Sequence, residues 1–253
     1  MSVYEKLKQK FVKREKILAT AMLFFHEPLL IEKMKRNDLD FLVFDMEHAS
    51  FNTENLVPYL HMCRLLELPS VVRVQDTEYH LIAKTIDMGA DGIMLPRVET
   101  LDQLQIALDA LCFYPVGKKG NGGSAQYRKG ESFNEFQCGR FLIPQIESPK
   151  GIDNLPEMIE KLGDIISGVI IGPYDMSIMV GTPLDIKSAP MELAIQKVFD
   201  ICQKHNMSTG IFCGDAEEAS AYQAMGANIL WTGCDIGFYM DGYNFTFDEL
   251  AKL

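Results

Sequence analysis

Short apolar runs rich in β-branched and aromatic residues alternate along this chain with stretches whose apolar positions recur at helical spacing. Eight runs read as strands: 17–24 (ILATAMLF), 41–46 (FLVFDM), 70–75 (SVVRVQ), 92–97 (GIMLPR), 141–147 (FLIPQIE), 168–172 (GVIIG), 209–213 (TGIFC) and 229–233 (ILWTG). Between them, Leu56, Leu60, Cys63 and Leu65 or Leu66 recur within 53–67, and Leu193, Val198, Ile201 and Cys202 within 190–204. Three- and four-residue spacing of this kind marks an amphipathic helix. Continuous apolar strands separated by helices imply parallel strands covered on both faces. Gly89 and Gly226 each precede a strand and read as helix C-terminal glycines. Eight such units in 253 residues predict an α/β fold, a single (β/α)8 TIM barrel over 1–253 with an N-terminal helix in 1–16. An open doubly wound sheet is the alternative.

Two connections are unusually long: 114–140 (YPVGKKGNGGSAQYRKGESFNEFQCGR) and 173–190. Long connections in compact domains are commonly functional. Both are expected after the C-terminal ends of strands, where barrels keep their active sites, so 114–140 reads as a long active-site loop.

Composition narrows the function classes. A net charge of −11 argues against nucleic acid, which needs clustered Lys and Arg. The one basic stretch, 6–16, reads as a solvated helix face with Leu7, Phe11 and Val12 turned inward, or else as a surface-binding arm. No signal peptide opens the chain, and no apolar stretch reaches the ~20 residues of a membrane span. The six cysteines, Cys63, Cys112, Cys138, Cys202, Cys213 and Cys234, form no CxxC pair and read as buried thiols, which fits a reducing cytoplasm.

The residues that carry chemistry stand at predicted strand ends: Asp45, Glu47 and His48; Arg73; Arg97 and Glu99; Gln145 and Glu147; Tyr174 and Asp175; Asp235. A ring of charges at one end of successive strands is hard to explain by packing, because buried charges need partners or a metal. Gln145 and Glu147, two apart, project to the same side of a strand. Glu147 and Asp175, from adjacent strands, form an oxygen-donor pair suited to Mg2+ or Mn2+; alternatively Glu147 caps the helix starting near Pro149. Asp45 is expected to orient the imidazole of His48, a candidate general base. Arg73 either pairs with Glu47 or binds a substrate carboxylate or enolate oxygen, or both. His26 could reach the site; His61, His80 and His205 read as surface or packing residues. A Schiff-base aldolase needs a lysine on an inner strand. None of the eight runs holds one: Lys150 and Lys187 lie beyond strand ends, and Lys118 and Lys119 lie in a loop that lacks the GK[ST] ending of a phosphate-binding loop.

Taken in order, FDMEH (44–48), VVRV (71–74), MLPRVET (94–100), YPVGKKG (114–120), PQIESPKG (144–151), IGPYDMS (171–177) and GCD (233–235) resemble the HpcH/HpaI aldolases over nearly the whole chain. These are metal-dependent pyruvate-class aldolases, 4-hydroxy-2-oxoheptanedioate and 2-keto-3-deoxy-L-rhamnonate aldolases among them. The resemblance implies a TIM barrel and a Mg2+, Mn2+ or Co2+ ion on Glu147 and Asp175. It implies Arg73 on the 2-oxo acid and its enolate, and His48, oriented by Asp45, as the acid/base group. Gln145 would help hold the 2-oxo acid, and the backbone N–H groups of Tyr174 and Asp175 would receive its carboxylate. The family's hexamers, trimers of dimers, imply a homo-oligomer in which loop 117–123 enters a neighbouring subunit's site. Departures are Lys119 where the family carries Arg, Tyr174 in place of a smaller residue, and Phe212 in place of a smaller aliphatic one facing the aldehyde. Gly237 and Gly242 interrupt the C-terminal segment, which therefore does not read as one long helix. The expected activity is cleavage of a 4-hydroxy-2-oxo acid to pyruvate and an aldehyde, or the reverse. Citrate-forming or malyl-CoA-type chemistry on the same scaffold and a catalytically silent binding protein are the rivals. The lack of an extra domain to cover a CoA tail counts against the malyl-CoA type.

Overall fold

The computed structural model describes residues 1–123, 125–137 and 139–253. The N-terminal helix α1 (Val3–Lys13) starts at a capping box, in which Ser2 and Glu5 satisfy each other's backbone N–H groups. The chain then runs through β1 (Ile17–Met22), α2 (Leu30–Met34), β2 (Phe41–Asp45), α3 (Val57–Leu65), β3 (Ser70–Arg73), α4 (Tyr79–Asp87), β4 (Gly92–Leu95), α5 (Leu101–Leu111) and α6 (Phe133–Gln137). Next come β5 (Phe141–Ile146), α7 (Pro149–Leu162), β6 (Val169–Ile171), α8 (Pro173–Met179), α9 (Ala189–Lys204), β7 (Thr209–Cys213), α10 (Ala216–Met225), β8 (Ile229–Cys234) and α11 (Asp235–Leu250). The eight strands pair in parallel and in sequence order, and β1 closes on β8. The closed TIM barrel of the sequence reading is therefore the fold, and the open sheet is excluded.

Strand alternation sorts the apolar residues into two layers. One set, such as Leu42, Phe44, Val72, Ile93, Leu142 and Ile171, packs against the helices. The other, such as Ile17, Phe41, Val43, Val71, Ile143, Ile170 and Trp231, fills the barrel interior. Helix α1 plugs the N-terminal end: Leu7 and Phe11 join the interior cluster, and the Phe11 ring lies 5.6 Å from that of Phe141. Val12, expected inside, is exposed at 64%, because the plug uses only the Leu7–Phe11 stripe. Leu193 and Leu65 are likewise exposed, one residue off the faces that α9 and α3 bury. Gly226 caps α10 at φ 119°, a left-handed conformation that suits glycine.

The stretch 114–140 departs from expectation. It follows α5 and leads into β5, so it lies at the N-terminal end of the barrel, opposite the strand ends that carry the charge ring. There Arg128 donates to Asp91 (2.7 Å) and stacks over Tyr4 (3.8 Å), while Arg140 pairs with Glu131 (2.7 Å). Two cavities of about 500 and 950 Å3 open at this end, between α1 and this stretch, and contain none of the candidate site residues.

The C-terminal segment is also corrected. Residues Asp235–Leu250 form one continuous helix despite Gly237 and Gly242. Its aromatic residues, Phe238, Tyr239, Tyr243, Phe245 and Phe247, are exposed. Cys63, Cys112, Cys202 and Cys213 are buried as expected, Cys234 is partly exposed, and Cys138 lies outside the described residues. Among the described residues no helix is long and apolar enough to cross a membrane.

Candidate active site

The alternation that fills the barrel with apolar side chains ends in polar ones at the strands' C-terminal ends. On β2 the inward series Phe41, Val43 continues to Asp45; on β3 Val71 is followed by Arg73; on β5 Phe141 and Ile143 are followed by Gln145 and then Glu147. Asp45, Gln145 and Glu147 are all buried.

Asp45 and Arg73 are register partners on β2 and β3. Their side chains meet as a bidentate pair, with Nε to Oδ1 at 2.8 Å and Nη2 to Oδ2 at 2.5 Å. Burial alone would lower the guanidinium's pKa, but the Asp45 hydrogen bonds together with the negative charges of Asp45, Glu47 and Glu147 outweigh it and raise it. Asp45 also accepts the backbone N–H of Glu47 (2.9 Å) and, more weakly, of His48 (3.4 Å). Thus Asp45 does not orient the His48 imidazole. Its oxygens are taken by Arg73 and by the turn that begins after β2. The carboxylate facing the ring is Glu47, 3.7 Å from Nε2 of His48, whose side chain is 61% exposed. Glu47 also stands 3.6 Å from Arg73 and 3.4 Å from Arg97, so it links the imidazole to both guanidiniums. Burial pushes the Glu47 carboxyl up, against the pull of Arg73, His48 and Arg97.

Glu147 does not cap α7. Ser148 does, accepting from Gly151 N–H, and Glu147 is left pointing into the barrel. Burial, reinforced by the negative charges of Asp175 and Glu47, pushes its carboxyl up to about 8. Arg73 opposes that shift, as does a hydrogen bond from the backbone N–H of Arg97, a non-glycine residue at φ 51°. A left-handed backbone at such a residue is uncommon and concentrates at functional sites. Gln145 donates its amide N–H to Glu147, and its own carbonyl oxygen is buried without a partner among the described residues. Gly172 explains how the two fit: a Cβ there would strike Oε1 of Glu147 and Nε2 of Gln145.

Gly172 is also the N-cap residue of α8, which carries Asp175 in its first turn and has no side-chain cap. The N–H groups of that turn therefore face the same mouth, where a helix start favours an anion. Glu147 and Asp175 form a carboxylate pair with excess negative charge between them, which suits a hard divalent cation with oxygen ligands and leaves positions for water or substrate oxygens. Among the described residues there is no group of three or more His, Cys, Asp or Glu set to hold a metal.

The structure brings Asp45, Glu47, His48, Arg73, Gln145, Glu147 and Asp175 to one end of the barrel. Tyr174, on α8, is half-exposed at its rim. Phe212 projects from β7 into the interior, edge-on to Trp231 at 5.2 Å. Lys119 is not brought there within the chain. Its fully buried ammonium pairs with Asp87 (2.5 Å) at the opposite end. His26 lies on the loop after β1, stacked on Phe51 and bonded to Ser50 (2.7 Å). His61 and His80 are exposed, and His205 is partly buried at the end of α9. Lys150 pairs with Glu99 and Lys187 with Glu218, which leaves no lysine on the inner strands. Sequence reasoning named Glu47 and Arg97 among the strand-end charges but missed Glu47 as the carboxylate beside His48 and Arg97. It also placed Asp235 in the acidic ring, whereas its carboxylate accepts four backbone N–H groups, from Leu23, Phe24, Phe25 and Ile236.

Comparison with known proteins identifies the family and the fold. The sequence profile of the HpcH/HpaI aldolase/citrate lyase family matches residues 21–241. A 5-keto-4-deoxy-D-glucarate aldolase of Klebsiella pneumoniae is 28% identical over 229 residues, 89% of each chain. The crystal structure of an HpcH/HpaI aldolase from Desulfitobacterium hafniense superposes with a TM-score of 0.90 at 20% identity, covering 98% of this chain and 97% of that one. The citrate synthase SbnG superposes with a TM-score of 0.83 at 22% identity, covering 97% of each chain.

Proposed function

The chain belongs to the HpcH/HpaI aldolase/citrate lyase family, and from that premise we propose that it is a divalent-metal-dependent lyase cleaving a 4-hydroxy-2-oxo acid to pyruvate and an aldehyde, or joining them. The observation that carries this reading is the buried Glu147, electrostatically coupled to Asp175 and flanked by Arg73 at the strands' C-terminal ends. Glu147 and Asp175 would hold Mg2+, Mn2+ or Co2+, which when bound polarises the 2-oxo group as a Lewis acid.

The protein's own groups do the rest. The α8 N-terminus, through the Tyr174 and Asp175 N–H groups, receives the carboxylate of the 2-oxo acid. Gln145 steadies Glu147 and offers its unpartnered carbonyl toward the same space. Arg73, locked in orientation by Asp45, faces the oxygen on which negative charge develops. In cleavage His48, with Glu47 beside it, accepts the proton of the C4 hydroxyl. The C3–C4 bond then breaks, the aldehyde leaves, and the electron pair remains as the enolate of pyruvate. Protonation at C3 completes the reaction.

We further propose a cytoplasmic homo-oligomer, a hexamer built as a trimer of dimers. The exposed aromatic face of α11 supports an association surface. In such an assembly Lys119 and loop 117–123 would serve a neighbouring subunit's site, because their own chain holds them at the far end. The likeness of fold to a citrate synthase supports a second reading, condensation with an oxaloacetate-like partner on the same platform. The test is NMR of pyruvate in D2O with each metal, followed by panels of aldehydes and of oxaloacetate with acyl-CoA esters. Methyl proton exchange and aldehyde turnover are expected. Exchange undiminished in excess chelator would contradict metal dependence, turnover only of the second panel would favour condensation, and no exchange with any metal would favour a silent binding protein.

A further inference from the structure

Arg97 breaks the run of β4 along β5. Leu95 pairs with Pro144, and the chain rejoins the sheet only at Val98, whose N–H donates to the carbonyl of Gln145 at 3.0 Å. Between these points Arg97 holds a left-handed backbone at φ 51°, and the side-chain amide of Gln103, from the first turn of α5, fastens its carbonyl at 3.1 Å. A side chain in that region persists only where its surroundings hold it there, and such positions gather at functional sites. The kink turns the Arg97 N–H to the carboxylate of Glu147 and sends the guanidinium to that of Glu47. One residue thus touches both the carboxylate of the proposed cation site and the carboxylate beside the proposed base.

The two oxygens of Glu47 have different neighbours. Oε2 stands 3.7 Å from Nε2 of His48 and 3.6 Å from Nε of Arg73, whereas Oε1 stands 3.4 Å from Nε of Arg97. The Arg97 guanidinium is itself anchored: Nη2 donates to the carbonyl of Gln75 at 2.8 Å and lies 3.7 Å from Asp76. Its planar fork therefore spans from the loop after β3 to Glu47. With that fork removed, the Glu47 carboxylate is free to turn both oxygens to Arg73, the more deeply buried cation, and His48 loses its partner. The Arg97 side chain is half-exposed, so its ion pairs add little to stability; what they fix is direction.

We propose that Arg97 is a positioning residue for the proton transfer: its guanidinium, pinned between Gln75 and Oε1 of Glu47, keeps Oε2 turned toward His48 as the C4 hydroxyl loses its proton. The inference rests on the aldolase reading above and adds to its base a residue that reading leaves unused. Glycine is the informative replacement, because it adopts the left-handed backbone freely and keeps the N–H on Glu147 while deleting the fork.

The experiment uses the full-length protein with Mg2+. Pyruvate methyl exchange by the wild type is measured first, and the aldol of pyruvate with the aldehyde turned over best serves as the cleavage substrate. Oxaloacetate is the second substrate: loss of CO2 breaks its C3–C4 bond and leaves the same enolate, with no hydroxyl proton to remove. We expect Arg97→Gly to lower kcat for aldol cleavage at least tenfold more than kcat for decarboxylation, with KM for the aldol and calorimetric Mg2+ affinity each within threefold of the wild type. In a Glu47→Gln background the same substitution should cost cleavage less than threefold. If exchange and aldehyde turnover are both absent, the aldolase reading fails and this one with it. If the two reactions fall alike or neither falls, if Mg2+ affinity drops more than threefold, or if the loss in cleavage persists in Glu47→Gln, Arg97 does not act through Glu47 and only the present inference is overturned. Should Arg97→Gly not fold, Arg97→Lys, which keeps the Cβ and the charge but not the fork, is read in the same assays, with a selective loss of at least threefold expected. The double substitution decides the matter should oxaloacetate not react.

Discussion

The carboxylate of Asp45 holds the guanidinium of Arg73 in a side-on, two-point grip between adjacent strands, and the same carboxylate takes the Glu47 N–H. One residue therefore fixes both the cation and the turn that carries His48. Asp45→Ala would leave the guanidinium with only the longer contact to Glu47 at 3.6 Å; loss of one partner of a buried pair costs up to about 3–5 kcal/mol. Urea denaturation should show that loss. Arg73→Lys keeps the charge but loses the fork, and pyruvate exchange should fall at least a hundredfold while the fold persists; exchange retained in Arg73→Lys would remove the assigned role.

Glu147 sets a pH dependence. A carboxyl near 4.5 in the unfolded chain and near 8 in the metal-free fold binds more protons when folded throughout that interval. Its contribution to stability is present below 4.5 and is lost as pH rises through 8. The Tm of the metal-free protein should fall between pH 5 and 8, Glu147→Gln should flatten that slope, and Mg2+ should raise Tm most at the alkaline end. A wild-type slope unaltered by Glu147→Gln would contradict the assignment.

His48 faces Glu47, not Asp45. Glu47→Gln should alter the pH profile of kcat for aldol cleavage, and His48→Ala should lower kcat by about a hundredfold or more, the usual contribution of a general base. Calorimetric Mg2+ affinity should change little in His48→Ala. An unchanged profile in Glu47→Gln would leave the imidazole without a carboxylate partner.

Asp235 binds the loop after β1 to the start of α11 through four backbone N–H groups. Asp235→Ala would strand four part-buried donors, each worth at most about 1–3 kcal/mol. Hydrogen exchange should accelerate at residues 23–25 before it does elsewhere in the barrel.

The aromatic face of α11 should matter only to assembly. Tyr243→Glu with Phe247→Glu should reduce the mass seen by light scattering while leaving the far-ultraviolet spectrum of the barrel intact. A mass unchanged by both substitutions would move the association surface elsewhere.

The barrel was legible because each strand is a continuous apolar run, buried on both faces, and because helix-period segments separate the runs. The inward polar ends were legible for the same reason: Arg73 follows Val71 by two, and Glu147 follows Ile143 by four. Pairing among those ends was not legible. Asp45 lies near His48 in sequence, but strand register brings Arg73 directly opposite it, and a fixed planar fork within reach takes both carboxylate oxygens. The direction of 114–140 was misread because α5 stands between it and β4, so the chain had already crossed to the other end of the barrel. Helix α11 was misread because Gly237 and Gly242 lower helix propensity by only about 1 kcal/mol each, too little to break a helix of 16 residues.

Gly172 ties substitution at one position to the placement of a carboxylate at another. Every other amino acid carries a Cβ, and at this position that atom would meet Oε1 of Glu147 and Nε2 of Gln145, the ends of two movable side chains. A larger residue there is admitted only if both swing away from the places they now hold. A lineage that altered position 172 would therefore relocate half of the acidic pair in the same step.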